Sequence, residues 1–304
     1  MNKLQKNNTY YYTDRRTFKN PFDNVHYFIK RNYEIGMHKQ DFFEINIVIR
    51  GKGIHYISDN KIDAEVGDVF IIPPEVEHGY VGGEGFDVYH IVVSNGFMQK
   101  NIAELQSING FSTLFKVEPI IRAKVNNPLH LKLKKSQLKA LEEILTERKN
   151  KRPIYTPEEW MLNSASFLII VTRLCEAYVE NFNILADNFS VKDSYFMRAL
   201  ALIHEKFNEK LSVADLAAEA HLSESTFVRK FIYVCKQTPF EYIVDRRIEA
   251  AENMLLNSTA SLVEIAEKVG FYDSAHLCRT FKKKKGVTPK EYRKLKAESF
   301  RYST

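Results

Sequence analysis

Two arginines, Arg229 and Arg279, stand fifty residues apart in matching stretches near the end of this 304-residue chain. A guanidinium presents a planar fork of donors that fits O6 and N7 of guanine, so a helix carrying one on its outer face can read a base in the major groove. A second set of polar groups lies far upstream. His38, Gln40, Glu44 and Asn46 recur at even spacing, and Tyr56, His78 and Tyr80 follow. Imidazole, amide, carboxylate and phenol groups gathered on the inner face of a sheet would line a cavity for a small polar ligand. The two sets need different scaffolds: short crossed helices for the arginines, alternating strands for the rest.

The helical scaffold is written twice. Ser212–Ala217 (SVADLA) matches Ser261–Ala266 (SLVEIA) at an offset of 49. After one inserted residue the offset becomes 50, and Arg229 meets Arg279, Phe231 meets Phe281, and Thr238-Pro239-x-Glu241-Tyr242 meets Thr288-Pro289-x-Glu291-Tyr292. Ser212 with Asp215, Ser261 with Glu264, and Thr238 with Glu241 have the spacing of reciprocal caps at helix starts. Pro239 and Pro289 suit the first helical position. Each repeat therefore predicts a short helix (213–220, 262–269), a turn, and a second helix with Phe227 and Phe231, or Leu277 and Phe281, turned to the core. Small Ala217 and Ala266 permit close helix crossing. Between the repeats, Phe240, Ile243, Val244, Ile248, Ala251, Met254 and Leu255 follow a helical period. A helix over Pro239 to Leu256 would be roughly 27 Å long, a strut suited to placing two recognition helices in successive major grooves about 34 Å apart.

With each core face assigned, the outward residues follow. Ser225, Thr226 and Arg229 in the first unit, and Ala275, His276 and Arg279 in the second, are the expected base-reading set. Ser223, Lys230, Lys236, Ser274, Lys282 and Lys283 are expected to hold phosphates. The stretches Arg247-Ile-x-x-Ala-x-x-Met-Leu-Leu, Ile265-Ala-x-x-Val-Gly-Phe, Phe281-Lys-Lys and Gly286-Val-Thr-Pro-x-x-Tyr-Arg293 together resemble the C-terminal signature of the AraC/XylS family of transcription regulators, over about 195–295. His221 departs from the second unit, which has Gly270 at the corresponding turn.

The front half changes character. β-rich runs at 43–50, 54–58, 69–72 and 88–93 are separated by Gly51-Lys-Gly53, Asp59-Asn60, Gly67-Asp68 and Gly82-Gly83, the pattern of a compact antiparallel sandwich or barrel. Alternation puts His38, Gln40, Phe42, Glu44, Asn46 and Val48 on one face, and Phe43, Ile45, Ile47 and Ile49 on the other. His38-x-Gln40, Glu44 and Gly51, then Gly67, Pro73 and His78, are similar to the two cupin motifs. The resemblance implies a metal site of two histidines, a glutamate and a further histidine; here Gln40 replaces the second histidine. The expectation is therefore an effector site without metal or cofactor, formed by His38, Gln40, Glu44, Asn46, Tyr56, His78 and Tyr80, with Tyr89 and His90 as further candidates. Two other readings stand beside it: hydrogen-bonded cavity groups, and three ligands to a transition metal. Tyrosines with carboxylate and amide acceptors suit a sugar or similar polyol.

Residues 131–149 and 157–182 predict two amphipathic helices separated by Pro153 and Pro157. The family resemblance implies a dimerising helical subdomain there; burial within one chain is the competing account. The expected fold is α+β: a cupin-like β-barrel with an N-terminal arm (1–126), a helical subdomain (127–182), a linker (183–194), and an all-α tandem helix-turn-helix domain (195–304). From Tyr195 onward there are 19 Lys and Arg against 14 Asp and Glu, whereas the preceding residues have 25 against 24. The basic excess of the last third suits a polyanion. Cys175, Cys235 and Cys278 make neither a disulfide framework nor a zinc spacing. No unbroken apolar run approaches the ~20 residues of a membrane span. These features predict a cytoplasmic regulator rather than an enzyme. Its expected partners are double-stranded DNA, a small-molecule effector, a second copy of the chain and RNA polymerase, with no membrane. The alternatives are a metal-dependent cupin enzyme tethered to DNA, and a ligand-independent regulator that uses its cupin only to dimerise.

Overall fold

A computed structural model describes residues 10–13, 17–18, 24–58, 60–123, 130–148, 156–186 and 191–294. The chain divides into two compact units, Met1–Val191 and Lys192–Thr304.

Among the described residues, the first unit holds ten strands in two five-stranded sheets. One sheet runs in the order β1 (Tyr10–Tyr12), β3 (Ile35–Gln40), β8 (His78–Val81), β5 (Lys52–Ile57), β6 (Asn60–Glu65). The other runs β10 (Leu131–Lys132), β7 (Asp68–Ile72), β4 (Phe43–Arg50), β9 (Asp87–Val93), β2 (Val25–Lys30). Pairing is antiparallel except for β1 beside β3. The four expected runs appear as β4, β5, β7 and β9, and the alternating His38 and Gln40 lie on β3; the short or charged strands β1, β2, β6, β8 and β10 lacked a strong alternating signal.

Central β4 is buried on both faces. Glu44, Asn46 and Val48 alternate with Ile45 and Ile47, and all five are buried. The isoleucine face is closed by helices rather than left to water, which explains a run too apolar for a one-sided sheet. Short helices α1 (Asn95–Lys100), α2 (Ile102–Gln106) and α3 (Glu118–Arg122, preceded by a π-helical turn at Thr113–Val117) lead to α4 (Lys135–Arg148) and α5 (Pro157–Ala186). α5 lies against α4, β2 and β10, with Phe167, Ile170, Val171 and Leu174 buried. The Tyr27 hydroxyl donates to the Asn163 carbonyl at 2.8 Å. Pro157–Asn181 is long and apolar enough to cross a bilayer, with a mean hydropathy of 1.3 over its most apolar window. Polar residues interrupt this helix, so no unbroken apolar run marks it in the sequence. The same length and composition suit a helix that covers a sheet.

The regular elements among the described residues of the second unit are all helices. α6 (Val191–Lys206) precedes α7 (Val213–Glu219), α8 (Glu224–Cys235), α9 (Pro239–Asn257), α10 (Leu262–Lys268) and α11 (Ser274–Lys285), with a further helical segment at 289–294. α5 and α6 extend into the expected linker, so its described residues are helical. The reciprocal caps at Ser212–Asp215, Thr238–Glu241 and Ser261–Glu264 are all formed. Each satisfies backbone donors that the first helical turn leaves unpaired. Phe227 and Phe231 pack with Phe196, while Leu277 and Phe281 are buried with Ile248, Ala251, Leu255 and Ile265.

Candidate nucleic-acid interface and effector cavity

In each repeat, the short helix meets the longer one at a turn entered with positive φ. His221 has φ 50° and Gly270 has φ 83°. The departure noted at His221 therefore keeps the turn; the ring is held against Tyr195 at a centroid distance of 4.0 Å. At Gly270 a Cβ would sit 2.4 Å from the Asn208 carbonyl oxygen, so only glycine fits there. The inserted residue is Tyr272, 94% exposed, which moves the helix cap from offset 49 to offset 50. Ser223 caps α8 and Asp273 caps α11.

The expected base-reading residues fall into matching positions. Ser225 and Arg229 of α8, and Ala275, His276 and Arg279 of α11, are exposed; Thr226 is half-buried. The backbone set is less uniform. Ser223 spends its hydroxyl on the cap and on Thr226 Oγ1 at 2.9 Å, and Ser274 is the first helical residue rather than the cap. Half-buried Lys230 has its Nζ 5.0 Å from the Phe196 ring centroid. Lys236, in the left-handed region, ends α8 beside Tyr233. Lys282 and Lys283 remain exposed. Their neighbours are anchored: Lys284 pairs with Asp245 at 2.6 Å and Lys285 with Glu252 at 2.5 Å.

Several signature residues hold the scaffold together. Arg247 donates to the carbonyls of Phe207 and Glu209. Arg293 donates to those of Leu255 and Ala260. Tyr242 hydrogen-bonds His204 at 2.7 Å, and Tyr292 donates to Glu252. Sequence spacing marked these positions without revealing that their partners are the ends and flanks of earlier helices.

In the first unit a cavity of about 430 Å³ opens beside β2 and β3. His38, Gln40 and Glu44 of the expected effector set line it. Asn46, His78 and Tyr80 do not; they are buried nearby, with Asn46 Nδ2 donating to the Tyr80 hydroxyl at 3.0 Å. Tyr56 corrects the sequence reading. Its register partner is Gly79, whereas the preceding His55 pairs with Tyr80 and stacks on it. Alternation along β5 therefore turns His55 inward and Tyr56 outward. Tyr89 likewise turns toward Thr146 of α4, while His90 lines the cavity. Sequence reasoning missed His26, Phe28 and Lys30, which share one face of β2 and all line the cavity. Their alternation was the available signal, but the run is short and its outer residues are also apolar.

Glu44 is the electrostatic centre. Its Oε2 lies 3.2 Å from His78 Nε2 and its Oε1 lies 2.5 Å from His90 Nδ1. Burial by itself would raise the carboxyl pKa, but these two hydrogen bonds outweigh it and hold the group well below its usual range. His38 goes the other way. Burial and the neighbouring His78 lower its pKa to about 4. Its Nδ1 is 3.0 Å from the Gly36 carbonyl, which can only accept, so the neutral ring carries its proton there and Nε2 is an acceptor. Gln40, 1% exposed, has no partner for either side-chain amide atom among the described residues. Leaving such a group buried and unmatched costs about 1–3 kcal/mol. His38, Glu44 and His78 also present ligand atoms within 4.8 Å of one another, a set able to hold a divalent cation. Both Glu44 oxygens, however, already face imidazoles.

Comparison with known proteins supplies the domain types. Residues 25–153 match the model described as AraC-like ligand binding domain, and residues 216–295 match that of a helix-turn-helix domain. The chain thus joins an AraC-like ligand binding domain to a helix-turn-helix domain, the make-up of a DNA-binding transcription regulator. The Msm operon regulatory protein of Streptococcus mutans is 25% identical over 87% of this chain and 88% of that relative. The HTH-type transcriptional activator RhaR of Mannheimia succiniciproducens is 23% identical over 87% of this chain and 90% of its own length. Among solved structures, the DNA-binding domain of AdpA in complex with a target DNA is similar, at 29% identity over 33% of this chain and 90% of that one, with a TM-score of 0.32. By its domains this is a DNA-binding transcription regulator, with the helix-turn-helix match in its second unit and the ligand-binding match in its first; the relatives named are regulators, not enzymes.

Proposed function

We propose that this regulator senses a small polar effector, a sugar or similar polyol, in the cavity of its first unit and thereby changes its occupancy of an operator. The observation that carries the reading is Gln40: a buried, unmatched amide on the cavity wall beside the acceptor nitrogen of His38. A ligand rich in hydroxyls would satisfy both, and the rings of Phe28, Tyr33 and Phe42 offer apolar faces to its C–H groups. Glu44, held ionised by its two imidazoles, is a further acceptor. Asn46, His78 and Tyr80 then support the wall from behind.

On the DNA side, Arg229 and Arg279 read guanines, Ser225, Thr226, Ala275 and His276 make the neighbouring base contacts, and Lys282 and Lys283 carry most of the phosphate contact. Exposed Met161, Leu162 and Ile169 on α5 suit pairing with a second copy of the chain. RNA polymerase is the further partner and activation the mode of action, a reading supported by the name of the RhaR relative; the site of action is the cytoplasm. An effector regulates only if it favours one conformational state over another.

The test is a melting-shift screen of neutral sugars, followed by operator-binding titrations with each hit. The expected result is a sugar that both raises the melting temperature and changes operator affinity, with both effects lost in Gln40→Leu. A panel that leaves operator affinity unchanged would remove the sensing role. Sedimentation as a monomer at micromolar concentration would remove the dimer.

A further inference from the structure

The inner row of β2 ends in a cation. His26, Phe28 and Lys30 alternate along one face, and all three line the cavity. Phe28 stacks flat on His90, with an interplanar angle of 5° and centroids 5.2 Å apart. The Lys30 ammonium folds back to 5.4 Å from the Phe28 centroid, beside the wall that a bound ring would face. Among the described residues, no carboxylate pairs with it within 4 Å. Arg31 adjoins it on the same cavity; its ion pair with Asp87 is long, at 3.9 Å, and Arg50 already holds that carboxylate at 3.2 Å.

The acidic groups of the cavity do not cancel this charge by contact. Glu44 is engaged by His78 and His90 at the interior. Glu34 also lines the cavity, but no ion pair joins it to Lys30 or Arg31 among the described residues. One end of the cavity is thus polar and rich in acceptors, while the other carries an ammonium that no carboxylate of the described residues pairs with.

We propose that the effector is an anionic sugar: a monosaccharide whose hydroxyls meet Gln40 and His38 and whose carboxylate or phosphate ester meets Lys30. This rests on the sensing reading above and specifies its ligand class. A charge-assisted contact at a partly enclosed site contributes more than a neutral one, because the anion needs less solvent to stay satisfied. The ring between the two ends sits against Phe28, and the hydroxyls give the polar interior its donors. Uronic acids and sugar phosphates share this chemistry and differ in charge and reach.

The experiment uses the full-length protein in calorimetric and melting-shift titrations at low salt. The probes are galactose and glucose, galacturonate and glucuronate, and the two hexose 6-phosphates. An anionic member is expected to bind at least about tenfold more tightly than its neutral parent. Lys30→Gln should erase that preference, bringing the anionic sugar to the affinity of its neutral parent, and Lys30→Arg should restore it. Tighter binding by uronates assigns the anion to a carboxylate; tighter binding by the 6-phosphates assigns it to a phosphate. A neutral sugar that binds as tightly as its acidic forms, or a preference that survives Lys30→Gln, overturns the inference and leaves the sensing reading intact. No binding by any probe, with unchanged operator affinity, overturns both.

Discussion

The two helix-turn-helix units share their interiors and differ at their surfaces. Both have a capped first helix, a turn with positive φ, a buried pair four residues apart and an outward arginine. Outside that frame the chemistry diverges. Where α11 shows Lys282 and Lys283, the equivalent positions of α8 are Ile232 and Tyr233, 42% and 64% exposed. Ser225 and Thr226 correspond to Ala275 and His276. Duplicated packing is constrained by the close fit of the interior, whereas the exposed residues are free to differ between the two units. If both units meet DNA as proposed, the second is equipped to carry more of the electrostatic contact, and the first surrounds its arginine with neutral hydroxyls.

The largest test of the shared interior is Phe231→Ala against Phe281→Ala. Each side chain is fully buried, and each truncation should destabilise the protein by about 3–5 kcal/mol. Chemical denaturation checks this; a much smaller loss in one unit would show that its interior is not an equivalent copy. Next come Arg229→Ala and Arg279→Ala. Each should weaken operator binding by about 1–3 kcal/mol and relax the preference for one base pair. Titration against operators substituted one pair at a time reads the outcome, and uniform weakening over all sequences would reassign that arginine to the backbone.

The turns should respond unequally. Gly270→Ala adds a Cβ 2.4 Å from the Asn208 oxygen at φ 83° and should cost about 2 kcal/mol or more. His221→Gly relieves a strained φ but loses the Tyr195 contact and makes the unfolded chain more flexible, so its net cost should stay below about 1 kcal/mol. Equal effects in thermal melts would break the distinction. The smallest effects belong to the lysines. Lys282→Ala and Lys283→Ala should each lower the slope of log affinity against log salt by about 1. Lys284→Ala and Lys285→Ala, already paired with Asp245 and Glu252, should leave it nearly unchanged. Four equal changes would show that the anchored pair reaches DNA as well.

The helical half was legible because its signals are local. A cap, its carboxylate partner and the apolar positions of one helix lie within a few residues, and the duplication checks each against its copy. Even there, the carbonyls gripped by Arg247 and Arg293 lie some forty residues away, beyond any local pattern. The sandwich behaves differently. Alternation placed His38, Gln40 and Glu44 on one face, and those three do line the cavity. It could not show that His78 and His90 converge on Glu44, since 34 and 46 residues separate them.

By itself, the sequence determined the order of the repeated helices, the outward place of Arg229 and Arg279, and the polar row on β3 and β4. Each is a matter of period along a single element. Only the tertiary structure decided that Tyr56 faces away while His55 faces in, that β2 contributes Phe28 and Lys30 to the cavity, and which lysines of 282–285 are tied down. Those outcomes depend on strand register and on which charges packing brings together. Period along one element carries no information about either.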